Sequence, residues 1–343
     1  MKQVKKTVHT IADIARLAGV SKSTVSRALN HSPLISAQTR DKIQTIARDH
    51  NFQIHRGAQN LSLKRSHTIG FVFPLDLDTG YFVTDPFHLE IIGAIAGALG
   101  AYNYDLLLAQ VDVDDPTWPH RYLDSGRVDG LVLVTCSSHV HQIESLLALQ
   151  APFIVWGIRQ PQYSYCSVHG DDVTGGRLAV EHLLQTGRRR IAFLGGPIGL
   201  PEVDLRFKGY ELALQAAGYA VTPALISYGN YTSRSGAEAM QRLLAQSPRL
   251  DAVFVNSDLM AIAAIGMLRE RGYKVPDDVA VVGYDDISLA AHCHPSLTTI
   301  RQNIMQAGKV LVHNLMQHLD TGIITNVTMP VELVVRKSTA VTP

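Results

Sequence analysis

Long apolar runs are missing from this sequence. No stretch approaches the about 20 residues that a membrane-spanning helix needs, and residues 1–30 hold no apolar run of signal-peptide length. The expectation is a chain that stays in the cytoplasm and meets no membrane. Cysteine is scarce: Cys136, Cys166 and Cys293 are the only three in 343 residues. An odd number at wide spacing excludes a disulfide framework and fits reduced thiols. Low-complexity tracts are absent, so no disordered tail is expected. Catalytic signatures are missing too, with no GxSxG, no HExxH and no cysteine–histidine pairing that suggests a nucleophile. GGPIG at 195–199 is not GxGxxG, and its proline removes an amide that a pyrophosphate would need. His139/His141 and His292/Cys293/His294 have metal-like spacing but no second ligand cluster, so they read as surface turns. No cofactor, metal or catalytic residue is therefore expected.

What is present is an uneven charge. The net charge is only +1, yet residues 1–67 carry 12 Lys and Arg against three acids, leaving 19 basic and 27 acidic side chains for the remaining 276 residues. A basic head on an acidic body suits phosphate binding at one end, rewarded by counterion release.

Within the head, residues 10–30 read TIADIARLAGVSKSTVSRALN. Ile11, Ile14, Ala15 and Ala18 fall at helical spacing. Gly19 ends that helix, Val20 fills the corner, and Ser21 caps a second helix with Val25, Ala28 and Leu29 on its apolar stripe. The other face offers Lys22, Ser23, Thr24, Ser26, Arg27 and Asn30, with no acid among them. Such a face can lie in a major groove and read base edges. An ordinary αα-hairpin in a larger core is the plainer reading, and the local charge tips the balance against it. A third helix is expected over about Ala37–His50, capped by Ser36, with Ile43, Ile46 and Ala47 inward. Residues 53–66 read as a linker or marginal helix weakened by Gly57.

From Thr68 the texture changes to βα alternation. Apolar strands are expected at 69–73, 104–109, 130–134, 153–156, 191–194, 224–228, 252–255 and 279–283. Helices fall between them at about 87–100, 138–150, 174–186, 203–217, 234–246 and 258–271. A helix at about 303–320 and a closing strand over 329–335 follow. Near-continuous apolar strands mean parallel sheets covered on both faces. The number of units predicts two Rossmann-like subdomains, split near 157–168.

Ligands of open parallel sheets bind beyond the carboxyl ends of the strands. Polar candidates collect there: Asp171 and Asp172, Arg206, Tyr231, Ser257 and Asp258, and Asp285 with Asp286. Carboxylates, a guanidinium and a ring suit a polyhydroxylated ligand. Plainer roles exist for each: Asp258 as a helix cap, Asp285 in an Asx-turn, Arg206 as a partner of Glu202, and Tyr231 as a core ring with its hydroxyl at the surface.

The motif at 10–30, ISAQTRDK (35–42), NFQIHRGAQNLSLKRSHTIGFVFP (51–74), RVDGLVLV (127–134), DDVTGGRLAVEHLLQTGRRRIAFLGG (171–196), RFKGYELAL (206–214), NSDLMAIAAI (256–265) and VAVVGYDDISLA (279–290) together resemble the lactose-repressor/galactose-repressor family of bacterial transcription regulators. The resemblance runs nearly end to end. It implies an α/β chain with a helix-turn-helix head (1–52), a hinge (53–67) and a periplasmic-binding-protein-like effector and dimerisation domain (68–343). The N-subdomain would be about 68–166 with 299–326, and the C-subdomain about 167–298 with 327–343. It implies base reading by Lys22, Ser23 and Arg27, and phosphate contacts from Thr10, Ser21, Thr24, Ser26, Asn30, Ser36 and Thr39. A hinge helix over 56–63 would add Arg56, Ala58 and Gln59, with Leu61 as a minor-groove wedge. Ile54 stands where many relatives carry proline. Effector contacts implied are Arg206, Asp258 and Asp285, with Tyr231 as a stacking ring, Asp171 and Ser257 near the cleft, and Phe82, Asp85 and Phe87 on its N-terminal side. The implied partners are operator DNA, a small molecule that is a sugar or its derivative, and a second copy of the chain. With no leucine heptad after the last strand, a tetramer-forming tail is not expected.

A solute-binding protein would fit the body alone, but not the basic head or the missing signal peptide. An enzyme with a helical appendage would lack any nucleophile or metal constellation.

Overall fold

The computed structural model of the chain describes residues 10–29, 32–52, 65–74, 85–112, 115–134 and 140–340. The chain divides into two units, Met1–Ser66 and His67–Pro343, one residue before the change of texture at Thr68.

The head is built from α1 (Ile11–Ala18), α2 (Lys22–Leu29) and α3 (Ala37–Asp49). Thr10 caps α1 in a reciprocal box with Asp13, and Gly19 closes it at φ 70°, a conformation that costs glycine little. Lys42 Nζ on α3 donates to the Ala18 carbonyl at 2.9 Å, tying α3 to the end of α1. Ile14, Ala18, Val25, Ala28, Ile43 and Ala47 make one buried seam, with Ile11, Leu29 and Ile46 at its margin. Each large aliphatic in it contributes roughly 1.5–3 kcal/mol, enough for three short helices that would be marginal alone.

Among the described residues the body holds two six-stranded sheets. Its elements in chain order are β1 (Thr68–Pro74), α4 (Pro86–Gly100), β2 (Asp105–Val111), α5 (Trp118–Leu123), β3 (Gly130–Val134), α6 (Val140–Ala148), β4 (Phe153–Trp156), β5 (Cys166–Gly170), α7 (Asp172–Gln185), β6 (Ile191–Gly195), α8 (Pro201–Ala216), β7 (Ile226–Tyr228), α9 (Ser233–Gln246), β8 (Ala252–Val255), α10 (Asp258–Glu270), β9 (Ala280–Asp285), α11 (Ser288–His292), β10 (Thr298–Arg301), α12 (Ile304–Thr321), β11 (Asn326–Met329) and β12 (Glu332–Val334). The first sheet runs β11-β5-β4-β3-β1-β2 and the second β12-β10-β9-β8-β6-β7. Every pairing in them is parallel except β10 with β12.

Alternate residues of each strand feed different cores, as the two-residue period requires. Ile69, Phe71, Val132 and Ile154 face α4 and α12, while Val72, Leu131, Leu133, Phe153 and Val155 face α5 and α6. In the second sheet Val253, Val255 and Val281 meet α9 and α10, and Phe193, Phe254 and Val282 meet α7 and α8. Helices α7 and α8 approach so closely that a Cβ on Gly176 would strike the backbone of Arg206, and one on Gly209 the backbone of Val173. That approach sets Arg206 beside the start of α7.

Three expectations change. The single closing strand at 329–335 is two: β11 pairs with β5 in the first sheet, β12 with β10 in the second. Pro330 lies at the break and has no N–H for a ladder. The strand over 224–228 shortens to Ile226–Tyr228 because Pro223–Leu225 forms a 3₁₀ turn. The subdomain boundaries move: the chain leaves the first sheet after Gly170 (not Cys166), leaves the second after Arg301 (not Thr298), and leaves the first again after Met329 (not Asn326). The crossing strands are rich in Ser, His, Thr and Asn, so apolar periodicity says little about which sheet claims them. For the same reason β10 lay outside the expected elements, and the short helices α5 and α11 lay outside them too.

Candidate functional site

The carboxyl ends of strands from both sheets border one cavity within the body, with about 650 Å³ of space partly open to solvent. Val134 ends β3, Trp156 ends β4, Gly170 ends β5 and Asp285 ends β9. Asp172, Ser257 and Gln302 lie one or two residues past β5, β8 and β10. This is where a parallel sheet presents ligand groups.

Arg206 is the best-anchored group in it. It is 5% exposed, and its Nε donates to Asp172 Oδ1 at 2.8 Å while Nη1 donates to the Asn256 carbonyl at 2.7 Å. Its guanidinium carbon lies 3.6 Å from the centre of the Tyr284 ring, a cation–π contact. The Tyr284 hydroxyl in turn donates to Asp172 Oδ1 at 3.2 Å. Burial pulls the Arg206 pKa down, but Asp172 together with Tyr284, Tyr231 and Asp285 outweighs it and holds the group well above its usual value. The plainer pairing of Arg206 with Glu202 does not form as a hydrogen bond.

The remaining carboxyls are less satisfied. Burial pushes Asp285 up to about 7, against the pull of Arg206 and a hydrogen bond from Gln302 Nε2 at 2.8 Å; nearby Asp85 adds to the rise. Its backbone sits at φ 114° and that of Asp286 at 59°, so β9 ends in a strained pair that directs neighbouring carboxylates differently. Asp286 turns to Arg301 Nε at 2.6 Å and Arg336 Nη2 at 2.7 Å. Burial also pushes Glu202 up to about 7, opposed by Arg206. Asp85 is raised by burial, opposed by His88 and by the Phe87 amide that it caps at 2.9 Å.

Of the residues expected at the cleft, Asp85, Phe87, Arg206, Tyr231, Ser257 and Asp285 line the cavity. Phe82 lies outside the described residues. Asp171 does not line it; its side chain caps α7 by accepting from the Thr174 amide at 3.0 Å, and the adjacent Asp172 takes the cleft position. Asp258 is not in the lining either. Fully buried, it accepts from Thr299 Oγ1 at 2.5 Å and from the Ile287 amide at 2.9 Å, bracing β10 and the β9–α11 loop. Nor is it the cap of α10, a role taken by Ser257. Asp172 was among the strand-end candidates, whereas Glu202, His88, Trp156 and Gln302 were missed as cleft residues. The strand-end rule pointed to Trp156 and Asp172, and helical spacing pointed to Glu202 four residues before Arg206. Gln302 follows a strand without an apolar signature.

In the head, Lys22, Ser23 and Arg27 are exposed on α2, with Thr24 and Ser26 beside them. Ser21 Oγ sits 2.7 Å from Ser23 Oγ and 2.8 Å from Thr24 Oγ1, and accepts from the Thr24 amide at 3.1 Å. Ser36 donates to Thr39 Oγ1 at 2.9 Å and accepts from its amide at 3.3 Å. Thr10, Ser21 and Ser36 thus place hydroxyls at three helix N-termini, where backbone amides favour anions. Asn30, Arg56, Ala58, Gln59 and Leu61 lie outside the described residues. No helix among the described residues is long and apolar enough to cross a membrane.

The model for bacterial regulatory proteins of the lacI family matches residues 10–54, and that for a periplasmic binding protein-like domain matches residues 180–339. The HTH-type transcriptional regulator CelR of Thermobifida fusca is 34% identical over 333 residues, covering 95% of each chain. Among solved structures, the lac repressor dimer bound to operator and the anti-inducer ONPF superposes with a TM-score of 0.84 at 30% identity, covering 98% of this chain and 100% of that one. A CelR–cellobiose complex gives a TM-score of 0.74 at 32% identity, covering 96% of this chain and 100% of that one.

Proposed function

The chain belongs to the lacI family of bacterial regulatory proteins, and from that premise we propose a sequence-specific repressor whose operator affinity is set by a sugar held in the cleft of the body. The observation that carries this reading is the pairing, in one chain, of an exposed basic helix face with a buried polar cleft centred on Arg206. Lys22, Ser23 and Arg27 read base edges, while Thr10, Ser21, Thr24, Ser26, Ser36 and Thr39 contact phosphates. Residues 53–67 connect the reading unit (1–52) to the ligand-binding and dimerisation unit (68–343). Arg206, Asp285, Asp172, Ser257 and Gln302 bond sugar hydroxyls, and Phe87, Trp156 and Tyr231 cover the C–H faces. The cellobiose bound by the relative CelR supports a carbohydrate. Two copies pair on a roughly palindromic operator in the cytoplasm, as half-site geometry favours. Sugar binding biases the two sheets of the body toward one relative orientation, and a differential of a few kcal/mol suffices to switch occupancy.

Gel retardation with the promoter of its own gene cluster tests this, together with thermal-shift titration of sugars. Full-length protein should retard the fragment with a steep loss of affinity as salt rises. A chain lacking residues 1–66 should not, while keeping its thermal response to sugar. Full-length protein without sequence-dependent retention would remove the reading.

A further inference from the structure

The cleft has a sign. Arg206 is its one lysine or arginine among the described lining residues, and that guanidinium is already directed to Asp172, Asn256 and the Tyr284 ring. His169 is committed as well, with Nδ1 donating to the Gly170 carbonyl at 2.8 Å and Nε2 3.1 Å from Thr328 Oγ1. His88 offsets Asp85. Against these stand Asp85, Glu202 and Asp285, with no guanidinium or ammonium of their own.

Among the described residues the backbone does not supply an anion site in their place. Helix N-termini are the usual receptors for phosphate, and those of α4, α8 and α10, which open on the cavity, are already occupied. At α4, Asp85 accepts from the Phe87 amide and Pro86 has no N–H to offer. At α8 the first residue is Pro201 and the second is Glu202 itself. At α10, Ser257 Oγ accepts from the Met260 amide at 3.3 Å. Each of these three ends carries a proline, a carboxylate or a hydroxyl cap.

We infer that the cleft rejects anionic effectors: it takes an uncharged polyol, and Glu202 with Asp85 excludes the phosphorylated or carboxylated forms of the same sugar. The inference rests on the sugar reading above and narrows it. A hydroxyl can donate to an ionised carboxylate or accept from a protonated one, so it suits buried acids titrating near neutrality. A phosphate dianion suits only the protonated form and meets repulsion from the other. Phe87, Trp156 and Tyr231 meanwhile offer ring faces that cover sugar carbons and do nothing for a phosphate.

The test uses full-length protein and a panel of mono- and disaccharides, each neutral, phosphorylated and as its uronic acid, read by thermal shift and calorimetry. Every compound that stabilises the wild type should be neutral, with its anionic forms weaker by about ten-fold or more, which corresponds to about 1.4 kcal/mol or more of charge repulsion in a buried site. Glu202→Lys should raise affinity for a phosphorylated form relative to its parent and gain stabilisation by millimolar inorganic phosphate. Should Glu202→Lys fold poorly, Glu202→Gln and Asp85→Asn should each narrow the gap between neutral and anionic forms. An anionic form that binds the wild type as well as its parent overturns the inference while leaving the sugar reading intact. Inorganic phosphate stabilising the wild type as much as Glu202→Lys also overturns it. Silence across all the sugars, in every form, removes the sugar reading and this inference with it.

Discussion

The exposed face of α2 and the cleft of the body are both polar, yet they are assembled in opposite ways. On the head, the hydroxyls at the helix starts bond within three residues: Thr10 with Asp13, Ser21 with Thr24, Ser36 with Thr39. They stay at the surface, and each contributes its contact separately. In the cleft, Arg206 meets groups 34 and 50 residues away in sequence, and Gln302 reaches back 17 residues to Asp285. These groups are buried and depend on one another. A surface awaiting a polyanion can keep its groups solvated, because the ligand brings the counter-charge. A cleft awaiting a small molecule must fix buried charge beforehand, so removing one member leaves another stranded.

The largest expected effect follows from that difference. Arg206→Met should strand Asp172, which is 3% exposed, and destabilise the body by about 3–5 kcal/mol, the usual cost of breaking a buried ion pair from one side. Chemical denaturation with a body-specific probe, such as Trp118 or Trp156 fluorescence, should show the loss. The double variant with Asp172→Asn should recover part of it. A loss below about 1 kcal/mol, the range of an exposed pair, would mean that the cleft behaves like the head and would break the comparison.

The pH dependence comes next. Asp285 rises from 3.8 to about 7 on folding and Glu202 from 4.5 to about 7. Between those limits the folded protein holds protons that the unfolded chain has released, so stability is greatest at the acid end and falls as pH rises through about 7. Above that it is level with respect to these groups. The thermal midpoint of the body should drop by several degrees across the window, since a ten-fold change in proton affinity is worth about 1.4 kcal/mol and Asp285 is 8% exposed. Asp285→Asn should flatten the curve. An unchanged slope in that variant would show that the fall arises elsewhere.

On the head, Arg27→Ala should weaken operator binding by about 1–3 kcal/mol and relax preference at one base position, with no change in sugar response. A loss that is equal on operator and random DNA would reassign Arg27 to the phosphates.

The same difference governs how much is legible in the sequence alone. The head is legible because its helices, caps and seam lie in one continuous stretch, from Thr10 to His50; Gly19, Ser21 and Ser36 announce their own boundaries. Arg206 and Asp285 are legible from strand ends. Asp171 and Asp172 are not distinguishable, because the choice depends on the φ/ψ at the start of α7 and on how closely Gly176 and Gly209 let α8 approach. Gln302 is invisible because β10 is held by pairing with β9 and β12 and by buried threonines, none of which produces apolar periodicity. Contacts that close over long sequence separations leave little local trace.

The smallest effect expected is at Thr10, and it separates two roles that the other sites leave merged. Thr10 caps α1, its hydroxyl donating to Asp13 Oδ2 at 2.8 Å and accepting from the Asp13 amide at 3.3 Å. Thr10→Ala should lower head stability by about 1 kcal/mol, the ordinary cost of a lost cap, read from the melting of the head within full-length protein. Aspartate is as good a cap as threonine, so Thr10→Asp should keep the melting transition. If the residue also faces a DNA phosphate, Thr10→Asp should weaken operator binding more than Thr10→Ala does, and the gap between them should close as salt rises, because only a charge is screened. Equal binding by the two variants at every salt concentration would leave Thr10 a cap alone. The local, solvated design of the head would then extend to a residue that holds the reading helix in place without touching what it reads.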